Sequence, residues 1–257
     1  MSVQIKYTAA CHKGKVREIN QDNLWCEGFF LKEKNEGLSE NLSGQTKSDA
    51  FPSFVVFDGL GGEQQGEVAA YIAAETFHFC CEEKDPKNQN EMVDFLTKSC
   101  QKMNHAICKY GKEKHIRNIG TTTAILMFGE DDILSCNLGD SRIYRLHKKK
   151  LEQISFDHVV TYVKSKKAPL SQHLGIPESE FMIEPFIART KPHPGDRYLI
   201  CSDGLTDMLT DKEIQKIIKK GEVSDVVEKL MDQSLENGGR DNITIILCEI
   251  VKGKKFQ

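Results

Sequence analysis

At 257 residues the chain suits one large domain or two small ones, with a core that needs no covalent staple, and a single domain over 1–257 is the simpler expectation. A net charge of −3 and a pI near 6.3 leave no electrostatic footprint for nucleic acid; the basic runs Lys148-Lys149-Lys150 and Lys252-Gly253-Lys254-Lys255 read as a solvated turn and a tail. Nine cysteines, an odd number without any C-x-x-C pair, argue against a disulfide framework and for reduced core thiols. The first residues lack the apolar core of a signal peptide, and no apolar run approaches the roughly 18 residues that span a bilayer. A soluble cytoplasmic protein with no membrane partner, most simply a monomer, is expected.

Residues 3–11 alternate and predict a first strand, followed by the polar turn Arg17-Glu18-Ile19-Asn20-Gln21-Asp22 and a strand over 24–31. Residues 32–50 are rich in Ser, Asn, Gly and Lys and predict a mobile loop between two strands of one sheet. The run Phe54-Val55-Val56-Phe57 then stops at Asp58-Gly59-Leu60-Gly61-Gly62, a buried strand ending in a carboxylate and glycines. Those glycines let backbone approach whatever Asp58 holds, so the Gly59 carbonyl can itself be a ligand. Residues 66–81 predict a helix buried on much of its surface. Asn88-x-x-Glu91 has the form of a capping box opening a helix to about 114, whose Met and aromatic stripe is core. Strands over 121–128, 133–137, 142–146 and 151–154 predict an antiparallel meander. A short helix at 157–164, a strand at 181–188, a central strand at 198–202, a second capping box at Thr210-x-x-Glu213, a helix around 226–235 and a last strand at 243–251 complete the chain. There is no internal repeat.

The Asp58 pattern recurs. Asp140 follows the 133–137 strand, Asp203 follows 198–202, Asp241 precedes 243–251, and Asp22 opens the 24–31 strand. One such turn is most simply a capped turn; five aspartates at strand ends are not five unrelated turns. Carboxylates gathered in one cleft repel unless a cation neutralises them, and all-oxygen ligation selects Mg²⁺ or Mn²⁺. Zinc would want Cys or His at ligand spacing, which the eight histidines do not offer. Two such ions about 3.5–4 Å apart can share a bridging water and clamp a phosphoryl oxygen during in-line attack. Arg17, five residues before Asp22, is the candidate to bind phosphate bidentately.

The ordered motifs Arg17-x-x-Asn20-Gln21-Asp22, Asp58-Gly59-x-Gly61-Gly62-x-x-x-Gly66-Glu67, Gly120-Thr121-Thr122, Gly139-Asp140-Ser141-Arg142, Ser202-Asp203-Gly204-Leu205-Thr206-Asp207 and Asp241-Asn242-Ile243-Thr244 resemble the metal-dependent PPM (PP2C-like) serine/threonine protein phosphatases of bacterial type. The resemblance runs from about residue 5 to 250. It implies an α+β fold, a four-layer α-β-β-α sandwich of two antiparallel sheets flanked by helices, with the metal site at one edge. It implies two Mg²⁺ or Mn²⁺ ions and room for a third: Asp58 bridging two, the Gly59 carbonyl on one, Asp203 and Asp241 completing the other, Asp22 holding metal-bound water, and Asp140 with Asp203 at the third position. Arg17 matches the phosphate-binding arginine; Glu67, Asn242 and Asp207 take supporting roles. The implied reaction is hydrolysis of phosphoserine and phosphothreonine in proteins by direct attack of metal-activated water, with phosphorylated proteins as partners.

Two departures stand out. Leu60 occupies the place where eukaryotic members carry a histidine that serves as general acid, so the leaving-group proton comes from water or another group. The flap, around 157–177, is much shortened, and the 32–50 loop is long enough to share in substrate choice. The alternative class is a non-catalytic module that recognises phosphoproteins; the complete aspartate set weighs against it. A dinucleotide-binding reading of Gly59-Leu60-Gly61-Gly62 fails because Gln64 stands where the last glycine of G-x-G-x-x-G belongs.

Overall fold

The computed structural model describes residues 2–60, 65–83, 86, 88–161 and 168–251; Gly61, Gly62, Gln64, the end of the expected 157–164 helix and the 252–255 tail lie outside them. Twelve strands are described: β1 (Gln4–His12), β2 (Asp22–Cys26), β3 (Phe29–Phe30), β4 (Leu42–Lys47), β5 (Ser53–Asp58), β6 (Thr123–Phe128), β7 (Ile133–Leu138), β8 (Arg142–His147), β9 (Lys150–Gln153), β10 (Phe186–Thr190), β11 (Arg197–Cys201) and β12 (Ile243–Val251). The helices are α1 (Gly66–Glu83), α2 (Gln89–Lys114), the single turn α3 (Asp203–Thr206), α4 (Asp211–Ile218) and α5 (Val223–Glu236).

The strands form two six-stranded sheets, ordered β4-β1-β12-β11-β8-β9 and β10-β7-β6-β5-β2-β3, with antiparallel neighbours throughout. Both faces of each sheet are covered, so its central strands read as continuous apolar runs while successive side chains still go to opposite sides. In β5, Phe54 and Val56 enter the core between the sheets, whereas Val55 and Phe57 meet α1 and α2. In β12, Ile246, Cys248 and Ile250 face the other sheet, and Ile243, Ile245 and Leu247 pack on α4 and α5. Three apolar layers thus separate four layers of structure. Each fully buried Val, Ile or Phe contributes about 1.5–3 kcal/mol, so this layering carries much of the stability.

The structure corrects several boundaries. Residues 32–50 are not one mobile loop: β4 pairs with β1 and lies in the opposite sheet from its neighbours β3 and β5, and its alternating half-exposed, exposed burial marks an edge strand. The 24–31 strand is a hairpin, broken at Glu27 and Gly28, whose positive φ values turn the chain. The meander is two hairpins in different sheets, because the chain crosses between β7 and β8. No helix occurs at described residues 157–161; Val159 bridges Leu170 instead. The 181–188 strand begins only at Phe186. The last strand sits between β1 and β11. All nine cysteines are free thiols, seven of them buried.

Candidate active site

Antiparallel pairing brings the strand-end aspartates together. Asp22 opens β2 and Asp58 ends β5 directly across from it, while β11 ends just before Asp203 where β12 begins just after Asp241. Asp58, Gly59, Asp140, Asp203 and Asp241 line one cavity of about 280 Å³ together with Arg17, Gln21 and Leu60. Pro169 and Leu170 also line it, next to a segment tied together by Val160 N–H to the Pro169 carbonyl at 2.9 Å and Ser171 N–H to the His158 carbonyl at 2.8 Å.

Asp22 is not in the cavity wall; it is buried just behind it, 2% exposed. Its Oδ2 accepts hydrogen bonds from Ser202 Oγ at 2.8 Å and Thr244 Oγ1 at 2.7 Å, both from the opposite sheet, whereas Oδ1 is buried with no hydrogen-bond partner. Burial pushes the Asp22 carboxyl up to about 7; the Thr244 and Ser202 hydroxyls work against that, and the charges of Asp203 and Asp241 add to it. A buried carboxylate oxygen left unpartnered beside two further carboxylates is unfavourable in the bare protein and is relieved by positive charge.

Gly59 is held where no side chain fits: a Cβ there would run into the backbone carbonyl oxygens of Gly66 and Gln21. Its N–H donates to the Gln21 carbonyl at 3.1 Å, and the Asp58 N–H donates to Thr122 Oγ1 at 3.1 Å. Thr122 in turn shares a 2.6 Å hydroxyl contact with Ser141, the residue after Asp140. His158, buried, accepts from the Gly139 N–H at Nδ1 (3.3 Å) and returns its own backbone N–H to the Gly139 carbonyl at 3.0 Å, fixing the turn that presents Asp140. Burial lowers the His158 pKa, consistent with a neutral acceptor nitrogen.

Arg17 sits on a loop fastened by Asn242. The Asn242 amide donates to the Lys13 carbonyl at 2.8 Å and the Ile19 carbonyl at 3.0 Å, and its Oδ1 accepts from the Gln21 N–H at 2.9 Å. Asn35, on the supposed mobile loop, accepts from Asn20 at 2.7 Å, Leu38 N–H donates to the Cys11 carbonyl at 2.8 Å, and Glu36 pairs with Lys13. The first part of that loop therefore braces the arginine. The Arg17 guanidinium, 44% exposed, meets Asp241 Oδ2 at 2.7 Å, which raises its already high pKa. Gln21 Nε2 donates to Glu67 Oε2 at 3.0 Å, so Glu67 steadies a cavity wall.

All six candidate metal ligands and Arg17 thus meet at one end of the sandwich, with Asp22 behind the others. Asn242 was expected in a supporting role, which its three hydrogen bonds fit; Ser202 and Thr244 lay inside the quoted motifs without a role, and His158 was not singled out from sequence. The donors are carboxylates and a carbonyl, with no thiol or imidazole in the described wall, and the set fits hard divalent cations.

Residues 42–248 match the model of the protein phosphatase 2C family, and the chain belongs to that family. It is 27% identical over 254 residues to the serine/threonine phosphatase stp of Listeria monocytogenes, covering 92% of each protein. It is also 27% identical over 263 residues to the serine/threonine protein phosphatase PstP of Mycobacterium tuberculosis, covering 98% of this chain and 46% of that protein. Among solved structures, PppA of Pseudomonas aeruginosa superposes with a TM-score of 0.79 at 24% identity, over 97% of this chain and 100% of that one. The PstP catalytic domain, solved with 2 manganese ions, gives 0.78 at 24% identity over 98% and 100%. Among the described residues, no helix is long and apolar enough to cross a membrane.

Proposed function

We propose that the chain is a metal-dependent protein phosphatase that releases phosphate from phosphoserine and phosphothreonine of proteins. The observation that carries this reading is the cavity that gathers Asp58, Gly59, Asp140, Asp203, Asp241 and Arg17 over the orphaned Oδ1 of Asp22. Membership of the protein phosphatase 2C family and the activity named for its relatives support it.

Asp58, the Gly59 carbonyl, Asp203 and Asp241 would hold two divalent cations, Mg²⁺ or Mn²⁺, with Asp140 available to a third. Such cations supply an acidified water and neutralise the phosphoryl oxygens. The chain's own groups do the rest. Arg17 binds two phosphoryl oxygens through its planar fork and orients the ester. Asp22, aimed from behind by Ser202 and Thr244, accepts a hydrogen bond from the attacking water and aligns it. Pro169 and Leu170 complete the cavity wall. Leu60 offers no proton, so the departing seryl or threonyl oxygen takes its proton from solvent.

Two substitutions separate these roles. Asp203→Asn should abolish turnover of a phosphothreonine peptide while circular dichroism and the thermal midpoint stay close to wild type; full activity in that variant would defeat the assignment. Arg17→Ala should raise KM by about tenfold or more, the effect of losing roughly 1.5–3 kcal/mol of charged hydrogen bonding. An unchanged KM removes Arg17 from phosphate binding.

A further inference from the structure

Three side chains with metal-ligating atoms converge at the other end of β8 and β11. His147 ends β8, Asp196 immediately precedes β11, His193 stands between β10 and β11, and one ligand atom from each lies within 4.8 Å of the others. Asp140 before β8 and Asp203 after β11 belong to the acidic cleft, so the length of β8, about 17 Å at the usual strand rise, separates the two places.

The backbone builds this cluster. In His193-Pro194-Gly195-Asp196 the Asp196 N–H donates to the His193 carbonyl at 3.0 Å, closing a β-turn with proline second and Gly195 third at φ +89°, the type II pattern. The Gly195 N–H reaches the Ile250 carbonyl at 2.7 Å and the Ile250 N–H the Asp196 carbonyl at 3.0 Å, which ties the turn to β12. Asp196, its side chain only 4% exposed, is held through Oδ2 by Arg145 Nε at 2.9 Å and Nη2 at 2.5 Å, while Oδ1 faces His147 Nδ1 at 2.7 Å. The two imidazole rings are 4.8 Å apart between centroids. His193 Nδ1 lies 3.8 Å from Asp196 Oδ2 and 2.9 Å from both Arg145 Nη2 and the Lys191 carbonyl. Arg145 Nη2 also donates to that carbonyl at 2.9 Å, so the guanidinium keeps a carboxylate and a carbonyl when the His193 ring turns to an ion. A ligating carboxylate whose second oxygen is fixed by a neighbour is the usual outer support of a metal site. Glu152 on β9 lies opposite Arg145 in the strand register.

We propose that His147, His193 and Asp196 form a second metal site, for a divalent transition ion of the zinc class. Two imidazole nitrogens and one carboxylate oxygen favour Zn²⁺, Co²⁺ or Ni²⁺ over the Mg²⁺ and Mn²⁺ that suit the all-oxygen cleft. Three protein ligands leave a fourth, tetrahedral position to water, on the side where His193 is half-exposed. An ion there joins the chain's passage from β10 in one sheet to β11 in the other with the end of β8.

The test uses the full chain stripped of metal and titrated with Co²⁺ in excess Mg²⁺, since four-coordinate Co²⁺ with nitrogen ligands absorbs far more strongly in the visible than six-coordinate Co²⁺ among oxygens. The expected result is a strong visible band that saturates at one ion per chain, disappears on adding Zn²⁺, and is lost in His147→Ala and in His193→Ala. His193 is exposed enough for its alanine variant to fold, which circular dichroism verifies, so the comparison survives if His147→Ala does not. No band in the wild-type protein, or one of equal strength in His193→Ala, overturns the proposal. The readout is absorption and stands whether or not the cleft hydrolyses phosphate.

Discussion

Asp22 is a buried carboxyl set among further carboxylates, an electrostatic conflict. Unfolded, its carboxyl ionises near 3.8; folded and metal-free, it is pushed up to about 7. A carboxyl with a raised folded pKa binds its proton more tightly in the native state, so its contribution to stability is full below the unfolded value and is lost as pH climbs through the folded one. Asp22→Asn stays neutral and escapes that loss. In the metal-free protein the variant should therefore gain thermal stability relative to wild type between pH 5 and pH 8, by about 1.4 kcal/mol for each pH unit crossed below the folded value. A constant difference across that range would contradict the reading, and Mn²⁺ at pH 8 should favour the wild type again. The aspartate was legible in the sequence because it stands at a strand boundary. Its partners were not: Ser202 and Thr244 lie 180 and 222 residues away, and only the stacking of the two sheets brings them to it.

Among the elements, local rules were most readable where a side chain closes a helix end. Thr210 accepts from the Glu213 N–H at 3.4 Å, and the Glu213 carboxylate accepts from the Thr210 N–H at 2.8 Å, the reciprocal pair its spacing announces. Thr210→Ala should cost about 1 kcal/mol and lower the thermal midpoint by about 2–4 °C without altering kcat/KM; a loss of activity would mean that α4 also shapes the cleft. Pairing partners were less readable. The 32–50 segment looks like a loop because polar residues and a glycine suit the exposed edge β4 as well as they suit a linker. The crossing between β7 and β8 was hidden for a related reason: Gly139 and Asp140 give a turn signal that fits a hairpin and a change of sheet equally.

The whole molecule puts acidic chemistry where the two sheets end together. Buried strands and abrupt Asp-Gly stops were enough to expect clustered aspartates at strand ends, whereas the α-β-β-α sandwich was expected only from the resemblance that the ordered motifs carry. What escaped was His158 behind Asp140 and the particular partners of Asn242 under the Arg17 loop, because these depend on contacts between segments distant in sequence. The central claim, a metal-dependent phosphatase, is tested most directly by phosphate release from a phosphothreonine peptide with Mn²⁺, with Mg²⁺ and with excess chelator. Turnover that appears with either ion and vanishes with chelator is the predicted result. A folded protein that binds Mn²⁺ yet releases no phosphate, or one that keeps its turnover in chelator, would contradict it.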